Sequence, residues 1–290
     1  MSTGAATGVR KHAPAKVNLA LHVTGKRADG YHTLDGPVAF AALGDTITAW
    51  PAAELSLTQG GPFAGDVAAD ESNLVLRAAR LLAERHGVAA GAHLHLDKQL
   101  PVAAGLGGGS ADAAAALAAL AELWGLDAGN LDGLAGELGA DVPMCLHAEP
   151  AFVGGIGESL TPIPGMAPVP AVLINPGEAV STPAAFQARG GAFSATVARW
   201  RRPPGSVREL AGRLSSTRND LMPAAASIAP AIHTVLDALT EAPGCLLARM
   251  SGSGATCVGL FANTAAARTT AHTLAAAHPA WWVRSTHLGG

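Results

Sequence analysis

The chain is poor in lysine, cysteine and long apolar runs, each shortage excluding something, and Tyr31 is its only tyrosine. Lysine occurs four times, at Lys11, Lys16, Lys26 and Lys98, among 19 basic residues set against 22 acids. With a net charge of −3 and a pI near 6.4, no basic face is implied and no nucleic-acid partner is expected. The three cysteines, Cys145, Cys245 and Cys257, are odd in number and widely spaced. That argues against a disulfide framework and for a reducing, cytoplasmic compartment. No cysteine pair stands at zinc-ligand spacing and His93 and His95 are only two apart, so no structural metal is expected. No window of about 18 uninterrupted apolar residues occurs, so no membrane span is expected. Met1 to Val9 is rich in Gly, Ala and Thr. It lacks the charged-then-apolar build of a signal peptide and reads as a loose tail.

What is present is core material: 290 residues, 49% hydrophobic and 14% charged. That length and composition predict two domains around sizeable cores. From Ala13 to Val23 the odd positions are apolar while Lys16, Asn18 and His22 fall on even ones, the period of a half-buried strand. Residues 45–50 and 92–97 alternate in the same way. Between them, 74–86 reads as a helix capped by Ser72 or Asn73 and stopped by Gly87. An alanine-rich helix is predicted over 110–124 and a short one over 130–138. Four prolines in 162–170 mark a link, dividing the chain into 1–165 and 166–290. Beyond it come a strand at 171–175, a helix opened by the capping box Ser206-Val-Arg-Glu209, and a strand-loop-strand-helix-strand run over 245–286. Strands interleaved with helices give an α/β or α+β chain.

The chemistry begins at Leu100-Pro-Val-Ala-Ala-Gly-Leu-Gly-Gly-Gly-Ser-Ala-Asp. Residues without a Cβ let the backbone wrap a bulky anion, and the following helix aims free N–H groups and its positive end at that anion. Phosphate is the expected guest, and Ser110 can cap the helix, reach a phosphate or reach a bound magnesium ion. The loop lacks the Gly-Lys-Ser/Thr of a Walker A motif. Its third glycine position is Ser110, so it is also a poor dinucleotide fingerprint.

Two titratable residues stand out. Asp141 precedes Val142-Pro143, where a proline pushes the residue before it towards an extended backbone. On local signals alone an Asx-turn acid is the plainer account of it. Lys16 reads equally as a strand lysine whose stem lies along the core. Phosphoryl transfer would give each of them a role. A carboxylate takes the proton of the attacking hydroxyl, and an ammonium offsets charge building on the transferred group. Ser251-Gly-Ser-Gly-Ala-Thr256 reads equally as a hairpin connection or as a flexible loop that closes on a ligand.

Gathered in order, Pro14-Ala-Lys-Val-Asn-Leu, Gly30-Tyr-His-Thr-Leu, the glycine-rich loop, Gly139-Ala-Asp-Val-Pro, Arg218-Asn-Asp-Leu and Ser251-Gly-Ser-Gly-Ala resemble the GHMP small-molecule kinases. The resemblance runs from about Ala13 to Phe261. It implies a two-domain α+β fold, with an N-terminal domain similar to ribosomal S5 domain 2 and a ferredoxin-like C-terminal domain. ATP and Mg2+ are implied as cofactors, with Pro101, Val102, Ala103, Ala104, Gly105, Leu106, Gly107, Gly108, Gly109, Ser110 and Ala111 holding the ATP phosphates. Asp141 is implied as catalytic base and Lys16 as its partner; the metal ligands stay open. Ala-Lys-Val-Asn with Asp-Gly-Tyr-His points to the branch acting on a cytidine-diphosphate-linked methylerythritol, in non-mevalonate isoprenoid synthesis, rather than to homoserine or mevalonate kinases. On that branch Asn18, Tyr31, His32, Lys98 and Phe186 are expected around the small-molecule substrate, and Gly252 and Ser253 near the transferred phosphate. Asp112 falls in the first helical turn, where an acid suits the dipole. The segment 187–217 carries no motif of the family.

Overall fold

The computed structural model describes residues 8–127, 129 and 131–289. Most of the expected N-terminal tail, and the expected start of the third helix at position 130, lie outside the described residues. In chain order the elements are β1 (Val9–Asn18), β2 (His22–Lys26), β3 (His32–Pro51), β4 (Ser56–Gly60), α1 (Leu74–His86), β5 (Ala92–Asp97), α2 (Gly108–Leu123), α3 (Leu131–Leu138) and α4 (Val142–His147). They continue with β6 (Ala151–Gly155), β7 (Ser159–Pro162), β8 (Val169–Asn175), α5 (Thr182–Ala188), α6 (Val207–Leu214), α7 (Met222–Ile228), α8 (Ala231–Glu241), β9 (Cys245–Met250), β10 (Cys257–Phe261), α9 (Thr264–Ala277) and β11 (Trp282–Leu288).

Two compact units result. One comprises the chain up to Ala15, Gly44–Val102 and Gly108–His147; the other comprises Lys16–Leu43, Ala103–Gly107 and Ala148–Gly290. The expected division after residue 165 coincides with none of the points at which the chain passes from one unit to the other. A proline-rich stretch is a local signal, whereas membership of a unit follows from distant strand pairing, and both β1 and β3 run from one unit into the other.

In the first unit, the Gly44–Pro51 part of β3 pairs antiparallel with β5, from Thr46↔Asp97 to Pro51↔Ala92, and β4 lies parallel to β5. Helix α1 is capped by Asn73, whose side chain accepts from Val75 N, and ends at a left-handed Gly87. It packs on α2, whose buried positions are mostly alanine, with Asp112, Leu117 and Leu120 among them; the small alanine side chains let two helix backbones approach closely. Val142, expected to be extended, instead opens α4. Proline in a first helical turn forfeits no intrahelical bond, so Pro143 starts that helix rather than blocking it.

In the second unit, β8 to β11 form an antiparallel set in the order β11-β8-β10-β9. The path β8, helices, β9, β10, α9, β11 is the split βαβ of a ferredoxin-like domain. Leu21 and Val23 join its core beside Val172, Ile174, Ile232 and Phe261. The His32–Leu43 part of β3 pairs with β2 and β6, and β6 with β7.

The strand expected over 13–23 breaks after Asn18. Leu19 N donates to Pro37 O, and Leu21 exchanges bonds with Arg218 O and Asp220 N. A Cβ on Gly36 would lie 2.3 Å from Ala20 O, so the chain bends there at the closest approach a glycine permits. The segment left without a role, 187–217, is partly a strap. Val197 N and the Arg199 guanidinium grip buried Asp35, Arg199 Nη2 to Oδ2 at 2.8 Å. Arg199 also lies 4.6 Å over the Phe152 ring, which Trp200 meets edge-on.

Candidate active site

The glycine-rich loop is stitched into place at three points of the second unit. Lys16 N donates to Leu106 O at 2.8 Å and Thr256 N to Ala104 O at 3.2 Å. Ser251 Oγ donates to Gly105 O at 2.9 Å. Two glycines are required by this geometry. Gly105 has φ +74° and a Cβ there would sit 2.3 Å from Ser251 O; Gly107 has φ +65° and its Cβ would meet the Lys16 stem at 3.3 Å. Lys16, 8% exposed, thus lies with its aliphatic stem against the loop backbone.

On the far side of the loop, α2 begins at Gly108, two residues earlier than the sequence suggests. Gly108, Gly109, Ser110 and Ala111 therefore form its first turn, whose N–H groups have no acceptor within the helix. Before the loop, Pro101 is buried and Val102 exposed.

Residues 98–100 and Asp112, which flank the loop in sequence, are held within the first unit. Asp45, fully buried, accepts from Gln99 N at 2.6 Å and Leu100 N at 2.8 Å through Oδ1 and from Lys98 Nζ at 2.5 Å through Oδ2. Lys98 also donates to Asp112 in α2 at 2.7 Å. A Cβ on Gly108 would come within 3.0 Å of Lys98 Nζ. Lys98, expected around the substrate, is 3% exposed and its ammonium is held between two carboxylates. Burial pushes Asp112 up to about 7, with Asp45 adding to the rise and Lys98 opposing it. Asp112 Oδ1 is buried without a hydrogen-bond partner.

The loop Ser251–Thr256 joins β9 to β10 and is a hairpin connection. It is buried throughout and tied down, which leaves no slack for a flexible flap. Ser251 N donates to Thr256 O and Gly254 N to Ser251 O. Asn219 Nδ2 donates to Met250 O at 2.9 Å and Gly252 O at 2.8 Å. Ser253 Oγ meets Thr182 Oγ1 at 2.8 Å, linking the loop to α5.

Helix α5 carries Phe186, which stacks on His32 with ring centroids 5.0 Å apart and planes 17° off parallel. Lys26 faces His32 across the β2–β3 ladder. Burial, then the charges of Lys26 and Arg189, hold the His32 imidazole below its ordinary pKa, so its ring stays neutral at pH 7. Tyr31 is 62% exposed. Asn18 is 8% exposed; its backbone N donates to Ser251 Oγ at 3.0 Å, and its side-chain Oδ1 is buried with no hydrogen-bond partner. Arg249 holds the neighbouring Leu19 O through Nη1 at 2.8 Å, and burial lowers its pKa to about 10. In the first unit, Asp141 is half-buried and its carbonyl accepts from Cys145 N, the first backbone bond of α4.

Of the residues expected at the site, Lys16, Asn18, His32 and Phe186 take part in the contacts just described, whereas Ser251, Asn219, Asp45 and Arg249 were not singled out. Asn219 and Ser251 lay inside motifs of the family. Asp45, at the head of an alternating strand, carried no signal beyond being an acid beside apolar positions.

The model of the GHMP kinases N terminal domain matches residues 73–149, and that of the GHMP kinases C terminal matches 201–280. A curated 4-diphosphocytidyl-2-C-methyl-D-erythritol kinase from Paramagnetospirillum magneticum is 52% identical over 95% of this chain and 97% of its own. The chain belongs to the GHMP kinases, in the 4-diphosphocytidyl-2-C-methyl-D-erythritol kinase family. A crystal structure of a 4-(cytidine 5'-diphospho)-2C-methyl-D-erythritol kinase superposes with a TM-score of 0.81 at 35% identity, covering 97% of this chain and 99% of that one. Homoserine kinase from Cytophaga hutchinsonii superposes at 0.71 with 20% identity over 99% and 96% of the two chains, sharing the fold alone. The α+β architecture is thus the two-domain GHMP kinase fold. Among the described residues, no cluster of three His, Cys, Asp or Glu stands where it could hold a metal ion, and no helix is long and apolar enough to cross a membrane.

Proposed function

We propose that this chain transfers the γ-phosphoryl group of ATP to the 2-hydroxyl of 4-diphosphocytidyl-2-C-methyl-D-erythritol, a step of the non-mevalonate isoprenoid route. The observation that carries this reading is the packing of the Lys16 stem on Gly107 of the glycine-rich loop, in a chain of this family. The loop from Pro101 to Ala111 wraps the ATP phosphates, and the first turn of α2 offers them its free N–H groups. The acceptor oxygen attacks the γ-phosphorus, the bond to the β-bridging oxygen breaks, and ADP leaves. Asp141 takes the hydroxyl proton, a role worth about 100- to 10,000-fold. Lys16 offsets the charge spread over the transferred group. Mg2+ accompanies the nucleotide and neutralises its phosphate charge. Ser110, in the first turn of α2, would help hold it there, and the ion would supply charge neutralisation.

On the acceptor side, Tyr31 and Phe186 supply flat faces for the cytosine and the neutral His32 ring supplies a hydrogen-bonding edge. Asn18 Oδ1, buried and without a donor, takes one from a hydroxyl of the methylerythritol. Gly252 and Ser253 line the path of the phosphoryl group. Lys98 we assign to the frame of the loop rather than to the substrate. The protein works in the cytoplasm on a small molecule.

The test is ATP- and magnesium-dependent phosphorylation of the cytidyl substrate, with homoserine and mevalonate as controls. Transfer to the cytidyl substrate alone is expected; transfer to a control instead would overturn the reading of Tyr31, His32 and Phe186. Asp141→Asn is expected to lower kcat at least 100-fold with the fold intact by circular dichroism. Lys16→Met is expected to lower kcat while leaving ATP-analogue affinity closer to the wild-type value.

A further inference from the structure

Three segments that are distant in sequence meet on one hydroxyl. Ser251 is fully buried. Its Oγ accepts from Asn18 N at 3.0 Å and donates to Gly105 O at 2.9 Å. The two bonds run in one direction, from the backbone N–H of 18 through the hydroxyl to the carbonyl of 105, so each polarises the other. The oxygen has no freedom to serve elsewhere, because its single proton is committed to Gly105. Its own backbone is fixed by Ser251 N to Thr256 O and by the Asn219 amide on the carbonyls either side. Gly105 is held at the same spot by close contact, as its missing Cβ would strike Ser251 O. Asn18, on the opposite side of the junction, carries the buried Oδ1 that lacks a donor.

We infer that Ser251 is a positioning residue: its hydroxyl sets the register of Asn18, and with it the acceptor hydroxyl, against the phosphate-binding loop. The inference rests on the acceptor and phosphate assignments proposed above. Its chemical content is separate, because it assigns a function to a side chain that touches neither substrate. Misplacement of two bound reactants by a fraction of an ångström acts on the chemical step more than on the binding of either one. A serine kept only for packing would act on stability instead.

The experiment compares wild type with Ser251→Ala and Ser251→Thr. Ser251→Ala is expected to lower kcat at least tenfold with both KM values within about threefold of wild type, and Ser251→Thr to restore kcat. Amide hydrogen exchange of the peptide spanning 16–19, in protein without substrates, is expected to quicken in the Ala variant and to recover in the Thr variant. Wild-type kcat in Ser251→Ala, or unchanged exchange at 16–19, would overturn the inference. So would a loss of thermal stability in which kcat and KM stay put. If wild-type protein transferred no phosphate to the cytidyl substrate, the functional reading would fail. The exchange measurement, which needs no turnover, would still decide whether the junction holds Asn18.

Discussion

Asp112 shows how much one oxygen decides. Its Oδ2 binds Lys98, its Oδ1 has no hydrogen-bond partner, and burial beside Asp45 pushes its pKa up to about 7. In the unfolded chain the group titrates near 4. Between those values the native state holds a proton that the unfolded state has released, so folding loses stability as pH rises from about 4 to 7 and no more above it. Asp112→Asn removes this dependence. The variant is expected to match wild type near pH 4 and to exceed it in thermal midpoint at pH 7.5, which paired unfolding scans would show. A variant less stable at pH 7.5 than at pH 4, relative to wild type, would contradict this. At this scale the residues singled out were those whose type was rare or whose setting was unusual: Lys16 and Tyr31 stood out by scarcity, and Asp141 by the proline two positions on. The sequence was silent on Asp45 and Arg249, since the partners that give them meaning lie more than fifty positions away in Lys98 and two hundred and thirty away in Leu19.

Elements were legible where their ends are written locally. Helix α1 begins and ends at its caps because Asn73 and Gly87 do chemistry within one turn. Asn73 is 8% exposed, accepts from Val75 N and donates to Ala68 O at 2.7 Å. Asn73→Ala is expected to cost about 1–2 kcal/mol in urea unfolding. The alternation of 13–23 gave the strand but not its break after Asn18, because that break is made by Pro37, Arg218 and Asp220 rather than by its own residues. Pro143 was read by its commonest effect on the residue before it, and its first-turn tolerance prevailed. For the glycine-rich loop, the residues gave the conformation but not the neighbours. Gly105→Ala is expected to weaken ATP-analogue binding at least tenfold, since a Cβ would force the loop off Ser251; titration calorimetry would show it, and unchanged affinity would refute the close fit.

For the whole molecule, class and fold were legible through six ordered motifs, whereas the division of the chain was not. The second unit needs Lys16–Leu43 and Ala103–Gly107 as well as everything after His147. Leu21 and Val23 sit in the same core as Val172 and Val283. A fragment of residues 166–290 therefore lacks part of its own interior. It is expected to give no cooperative thermal transition and to be cleaved rapidly by protease, while the full chain resists. A stable, cooperatively folding fragment would show that those N-terminal residues are dispensable to the core.

The same interleaving has a consequence on the ribosome. Leu288 of the last strand pairs with Ala41, which leaves the exit tunnel long before it. At ~5–20 residues per second, tens of seconds separate the two events. During that interval Ala41, buried in the finished protein, waits for its β11 partner, whereas Val38 gains its own once Ala151 of β6 emerges. The β3–β6 ladder, from Leu34↔Gly155 to Val38↔Ala151, can therefore form well before the last strand closes on Ala41.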